Sequence, residues 1–424
     1  MWNIHFEENL NKHFVSLGLF VVKTTIIINS INKMAGQYKW YLILLFFLAI
    51  TLILQFCARY QILPITNHFV YDSYTYELRV LYDRNIDTFA DAFTSLNSFF
   101  YKIGPFSFVL INTIMLLCCV YLCKVFSVIS SKSVSLARFI VVFNPYLLIG
   151  AIGPNKETFL LFISLLCFYL YFQGLPILRF LALVVAMFAL FVRPVFGLTL
   201  LFTILIKPLT YLIKNPVNVF LLILLGYFTI NSIPPINIFI TEFQGEELAS
   251  FQTSNLYELA LFLKVMNQNP ILQFPAFAIK TCLILFTPIV RPNAFFSLPY
   301  PILDVGYTLM AYALFPFNLA LLLIFLNKKI VSLNFVNKET QTLLIFALIG
   351  ILTTIINSNI TFRYIFPYSP VIVSLFYLHS LKVRNRIILF SLGLVTLTFT
   401  ITLIFLKKDF AMDDLTVPQF MSWF

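Results

Sequence analysis

The residues of this chain that could do chemistry are few and widely spaced. Asp72 lies in YDSYTYE, about fifteen residues beyond the end of the first apolar run. Lys156 and Glu157 stand side by side in NPYLLIGAIGPNKETFL; Arg193 sits in FVRPVFG, Arg291 in PIVRPN and Arg363 in SNITFRYIFPYSP. Most stand at the margin of an apolar run, where an ionised group is costly unless it faces a polar cavity or a partner. Three arginines beside bulky apolar walls suit a phosphate or diphosphate, because the guanidinium fork matches phosphate oxygens. A nearby carboxylate, Glu157 or Asp72, could take a proton from an attacking hydroxyl. Tyr74, Tyr76, Tyr146, Tyr364 and Tyr368 could offer ring faces to a sugar.

Each of these residues also has a plainer reading. Arg193 and Arg363 could snorkel to lipid headgroups. Lys156 and Glu157 could form a solvated turn, Arg291 could be a rim residue, and Asp72 could cap a surface helix. The tyrosines could belong to interfacial aromatic belts. What raises the set above its members is that one threading of the chain puts all of them on one face.

The elements that must position them are membrane helices. Of 424 residues, 60% are hydrophobic and 11% charged, where soluble domains carry about 25% charged residues. The mean hydropathy is +0.93. These values exclude a soluble globular protein, a disordered chain and a disulfide scaffold, and leave an all-α, polytopic transmembrane bundle. Apolar runs between charged breaks predict eleven spans: 40–57, 105–123, 137–152, 158–172, 175–191, 195–213, 217–233, 303–326, 341–357, 364–380 and 387–406. A twelfth could cross at 14–30, read here as an interfacial helix broken by Lys23. The 274–290 stretch carries Lys280 and ends near Pro288, as a re-entrant or interfacial segment would. No linker or charge block divides the chain, so residues 1–424 read as one membrane domain.

Charge sets the orientation. With the N-terminus inside, the cytoplasmic ends hold sixteen basic residues, among them Lys124, Lys132, Arg138, Arg179, Lys382, Arg384 and Arg386. They hold three acids: Glu7, Glu8 and Glu339. A competing threading makes 178–206 a single crossing, but it moves Lys207 and Lys214 outside and the acidic 234–273 stretch inside. No small-residue cleavage site follows 14–30, so no cleavable signal is expected. Two outer loops are long: 58–104, and 234–302 with the 274–290 segment. Both carry apolar residues at helical spacing among charges, as helices lying on the outer surface would, and together they could roof a cavity.

The cytoplasmic face offers no paired carboxylates to hold a metal–nucleotide sugar, and the chain has no Gly-x4-Gly-Lys-Ser/Thr loop. The six cysteines and four histidines show no metal-ligand spacing. The basic excess needs no nucleic acid to explain it. Twelve glycines in 424 residues and the absence of an internal repeat argue against a transporter built on sliding helices. An enzyme of this layout works on the outer face, where nucleotide fuel is absent. Its substrates must arrive activated, most simply on a lipid.

The order of these motifs resembles a known family. The first outer loop carries D-S-x-x-Y (Asp72 to Tyr76). N-P-Y and G-P-N-K-E follow (Asn144 to Glu157), then R-P (Arg193–Pro194), then F-R-Y-x-x-P-Y-x-P (Phe362 to Pro370). The layout is similar to bacterial polysaccharide polymerases of the Wzy type and, more broadly, to the GT-C glycosyltransferases. The resemblance implies transfer at the periplasmic face of the bacterial inner membrane. The donor is a glycan on undecaprenyl diphosphate, and the acceptor a lipid-linked repeat unit. Arg193, Arg291 and Arg363 then bind diphosphates with help from Lys156, and Glu157 or Asp72 is the base. No metal or cofactor is implied. A chain-length regulator, a repeat-unit flippase and membrane lipids are the implied partners. A C-terminus outside, as the threading has it, departs from the Wzy pattern. Two alternatives stay open: a GT-C enzyme adding one sugar from a polyprenyl monophosphate, with Asp72 leading, and a flippase or transporter for lipid-linked oligosaccharides.

Overall fold

The computed structural model describes residues 38–59, 107–150, 156–210, 301–326, 337–356 and 362–409, with a few single positions between 225 and 279. Every regular element among them is helical. In chain order these are α1 (Tyr38–Arg59), α2 (Ser107–Leu122, extended by a 3₁₀ segment Cys123–Val128), α3 (Ser131–Val142), α4 (Pro145–Gly150), α5 (Lys156–Phe172), α6 (Pro176–Val192) and α7 (Pro194–Thr210). Then come α8 (Pro301–Leu326), α9 (Lys338–Ile356), a 3₁₀ segment Phe362–Tyr368, α10 (Ser369–Leu375), a 3₁₀ turn Phe376–Leu378 and α11 (Leu381–Asp409). Ten of the eleven apolar runs expected as spans overlap these helices. The 217–233 span, the 14–30 stretch, the loops 58–104 and 234–302 and the 274–290 segment lie outside the described residues, apart from those single positions. Within the described residues, Val109–Val128 is a continuous helical stretch of 20 residues with mean hydropathy 2.2, long and apolar enough to cross a bilayer.

Local chemistry explains the breaks. The apolar run that starts at 137 is split between two helices, α3 and α4, because Pro145 disfavours helical geometry at Asn144. Asn144 instead caps α4, its Oδ1 accepting from the amides of Tyr146 (3.0 Å) and Leu147 (3.3 Å). Ser130 caps α3 by accepting from Ser133 N at 3.0 Å, and Asn337 caps α9 by accepting from Thr340 N at 2.9 Å. Gly174, at φ 79°, supplies the left-handed residue that ends α5 and turns the chain into α6. Pro367 and Pro370 keep the stretch from Phe362 to Tyr368 in tighter 3₁₀ turns before α10 begins.

Residues 178–206 are two helices, not one. Pro194 pushes Arg193 into extended geometry (φ −151°, ψ 102°), so α6 stops and α7 starts within one residue. The two helices then pack closely. Ala182, Ala186 and Ala189 form a buried small-residue stripe on α6. Gly197 on α7 faces that stripe, and a Cβ there would overlap the backbone of Leu190 and Ala189. The opposite face of α6 exposes Ile177, Phe180, Leu181, Val184, Met187 and Phe188.

One aromatic cluster joins α5, α7, α9 and the 3₁₀ segment. Phe168 meets Phe346 edge-on at 4.9 Å, Phe196 meets Tyr368 at 5.1 Å, and Phe346 meets Tyr368 at 4.9 Å. Polar ties fix the far end of the bundle. Ser133 Oγ donates to Ser374 O at 3.1 Å, Asn337 Nδ2 to Val128 O at 2.9 Å, and Arg138 Nε to Val120 O at 3.0 Å.

Candidate functional site

The α5–α6 hairpin brings two of the expected site residues together. α5 starts at Lys156 and runs to Phe172; α6 returns antiparallel and ends beside the start of α5. Glu157, in the first helical turn, and Arg193, at the corner of the Arg-Pro pair, therefore share one end of the bundle. Their side chains form an ion pair, Arg193 Nη2 donating to Glu157 Oε1 at 3.3 Å. The carboxylate side chain is 7% exposed and the guanidinium 24%. A buried carboxylate demands compensation. Here the arginine supplies charge, and the N-terminal amides of α5 supply dipole. Lys156 is half-buried in the same turn.

A second polar group lies on α7 and α9 at this end. Thr199 Oγ1 donates to Val195 O (2.9 Å) and lies 3.4 Å from Thr353 Oγ1. Thr353 Oγ1 in turn donates to Gly350 O at 3.0 Å. The Tyr368 hydroxyl lies beside both threonines and within electrostatic reach of Arg193. Sequence reasoning did not single out Thr199, Thr353 or Gly350. The signal for Gly350 was its presence among eighteen largely apolar neighbours in α9; for the threonines there was none.

The other expected residues are placed as follows. Tyr146 is buried, with its ring against Phe366 at 5.0 Å. Tyr368 is 3% exposed and packs inside the bundle rather than presenting a face outward. Arg363 and Tyr364 belong to the 3₁₀ segment that leads into Tyr368. Asp72, Tyr74, Tyr76 and Arg291 lie outside the described residues. Asn144, in the Asn-Pro-Tyr sequence, is fully buried, and its Nδ2 has no hydrogen-bond partner. Among the described residues, no three His, Cys, Asp or Glu side chains gather as metal ligands. Cys119, Cys123 and Cys167 are buried free thiols.

A buried carboxylate held by an arginine at the mouth of a helix pair can exchange partners. The guanidinium can turn to an arriving oxyanion, and the carboxylate can then accept a proton. No family model, no curated protein and no solved structure matches this chain.

Proposed function

We propose that the chain is a multi-pass membrane glycosyltransferase that polymerises undecaprenyl-diphosphate-linked oligosaccharide units at the periplasmic face of a bacterial inner membrane. The observation that carries the reading is the Glu157–Arg193 pair: a carboxylate and a guanidinium from separate helices, joined at one end of an apolar helix pair. The exposed apolar surface of α6 supports the membrane setting. The face of α6 opposite Ala182, Ala186 and Ala189 is a continuous apolar stripe open to the surroundings. Lys124 and Arg138 lie at the other end of the bundle, as the positive-inside rule requires if the ion pair faces the periplasm.

The step proposed is a displacement at an anomeric carbon. The acceptor sugar hydroxyl attacks that carbon, and a new glycosidic bond forms. The bond from the carbon to the diphosphate oxygen breaks, and undecaprenyl diphosphate leaves. Glu157 takes the hydroxyl proton. Arg193, with Arg291, Arg363 and Lys156, neutralises the departing diphosphate. Asp72 lies in the first outer loop as a second carboxylate for the acceptor. Little more than positioning, a base and charge neutralisation is needed. The test is direct: purified protein in lipid is given diphosphate-linked repeat units alone. A ladder of longer products is expected. A reaction that starts only when a polyprenyl monophosphate sugar is added would replace polymerisation with single-sugar transfer.

A further inference from the structure

The first two turns of α11 carry Lys382, Arg384 and Arg386 and no acid. Cations at a helix N-terminus oppose the helix dipole, which favours anions there. No acid flanks them along the sequence: between Glu339 and Asp409 the chain contains no carboxylate. Among the described residues none of the three has an ion-pair partner. Lys382 and Arg386 are exposed. Arg384 turns to the packed face instead, its guanidinium over the Tyr377 ring at 4.6 Å and its Nε buried without a hydrogen-bond partner. The first intrahelical bond runs from Arg384 N to Ser380 O, so the amides before it have no acceptor within the helix.

The same helix continues as an open apolar face. Only Ile387 and Ser391 are buried on the stretch from Leu381 to Leu397. Lys382, Arg386, Leu389, Gly393 and Leu397 recur at helical spacing and form one stripe. Along it run two cations, then an exposed leucine flanked by exposed Phe390, then a glycine with nothing within 4 Å of where a Cβ would stand, then another exposed leucine. From Arg386 to Leu397 the helix rises about 16 Å, close to the ~15 Å hydrocarbon depth of one leaflet. Charge, apolar strip and glycine slot follow the order of a phospholipid: headgroup, then acyl chain.

We infer that the N-terminal turns of α11 bind the phosphate of an anionic phospholipid, with one acyl chain lying along the Leu389–Gly393–Leu397 stripe. A soluble phosphate would use the cations alone; the contiguous apolar stripe selects a lipid. The inference depends on the membrane setting and not on glycosyl transfer.

The experiment uses full-length protein in phosphatidylcholine nanodiscs with and without phosphatidylglycerol. Retained lipid is counted by native mass spectrometry, and affinity is read by titration. Phosphatidylglycerol is expected to be retained over phosphatidylcholine. Affinity should fall about fivefold in Lys382→Gln or Arg386→Gln alone, and roughly twenty-fivefold in the double variant. Gly393→Leu should also weaken retention, although it removes no charge. Lys132→Gln, an exposed cation on α3 at the same end, should leave it unchanged. Equal loss in Lys132→Gln would mean a diffuse surface field and would overturn the site. Displacement of the lipid by inorganic phosphate would assign the cations to a soluble anion and overturn it equally. Should the double variant not fold, Arg386→Gln and Gly393→Leu decide: wild-type retention in both rejects the site. Wild-type protein that fails to enter nanodiscs defeats the membrane setting as well. Protein that retains phosphatidylglycerol but extends no glycan leaves this inference standing and removes only the proposed activity.

Discussion

Gly350 lies directly beneath the ring of Tyr368. A Cβ at that position would overlap ring atoms Cδ1, Cε1 and Cζ. The contact places a phenol from the 3₁₀ segment against the backbone of α9, between Phe346 and Phe196. It also sets the hydroxyl beside Thr353 and Thr199, under the Glu157–Arg193 end of the bundle. Tyr368 is confined by aromatic rings as well as by the glycine, so it cannot retreat without repacking. Gly350→Ala should therefore cost about 1–3 kcal/mol. Thermal unfolding in detergent reads that loss. Glycan chain length should fall with it, since the displaced ring carries the 362–368 segment and Arg363 with it. An unchanged melting midpoint in Gly350→Ala would show that the ring has room the geometry denies.

The ion pair predicts an asymmetry between its two partners. Arg193→Ala takes the guanidinium away from a carboxylate that is 7% exposed. That should cost about 1–3 kcal/mol, the usual range for losing one hydrogen-bonding partner of a buried polar group. Glu157→Gln leaves a neutral amide that still accepts from Arg193, and it should unfold near the wild-type temperature. Both variants should nevertheless abolish glycan extension, since one removes the phosphate ligand and the other the base. Arg193→Lys should restore stability in part but not activity, because a point charge lacks the guanidinium fork. Long-chain product from Glu157→Gln at wild-type rate would remove Glu157 from the proton transfer.

The helices were legible because apolar runs and their breaks are local properties. Arg193–Pro194 shows this well: the proline alone ends one helix and starts the next. The Asn144–Pro145 break was equally written in the chain, yet the apolar run 137–152 continues through it and masks it. The pairing of Glu157 with Arg193 was half legible. Threading put them on one face, but only the antiparallel return of α6 sets their separation. Tyr368 was read as a ring open to a sugar. Its burial depends on Gly350, eighteen residues earlier on another helix, and a cavity shaped by a missing Cβ leaves no pattern in hydropathy. Thr199 and Thr353 were invisible for a related reason: a threonine that bonds back to its own helix looks the same as one that faces a site.

Two glycines on long helices should respond in opposite directions. Gly197 packs so closely on α6 that an added Cβ meets the backbone of Leu190 and Ala189, which cannot swing away as a side chain can. Gly197→Val should force α7 off α6, spread the corner that holds Arg193 and lower folded yield sharply. Gly393 has open space around it. Gly393→Ala should stabilise α11 by roughly 0.5–1 kcal/mol through lower backbone entropy of the unfolded chain. Circular dichroism melts of the two variants side by side check both signs. Equal tolerance at both positions would mean that the α6–α7 contact is looser than the alanine stripe implies.

The α5–α6–α7 connectivity turns sidedness into a labelling experiment. Gln173 stands in the exposed turn beyond α5, at the end opposite the ion pair, and Val195 is exposed beside Arg193. If the chain works on lipid-linked sugars outside, single cysteines at these two positions must report opposite sides of the membrane. In a cysteine-free background, Val195→Cys should react with a membrane-impermeant maleimide in intact cells, and Gln173→Cys only after permeabilisation. A single crossing over 178–206 would bury Val195 within the bilayer, where a failure to label does not by itself decide between threadings. A third cysteine at Lys382 does, because counting α6 and α7 as two crossings instead of one inverts the side of every later segment and puts Lys382 inside. Lys382→Cys should then behave like Gln173→Cys. Labelling of Lys382→Cys from outside, or of Gln173→Cys in intact cells, would move the Glu157–Arg193 pair relative to the cell exterior. The proposed donor would then be out of reach.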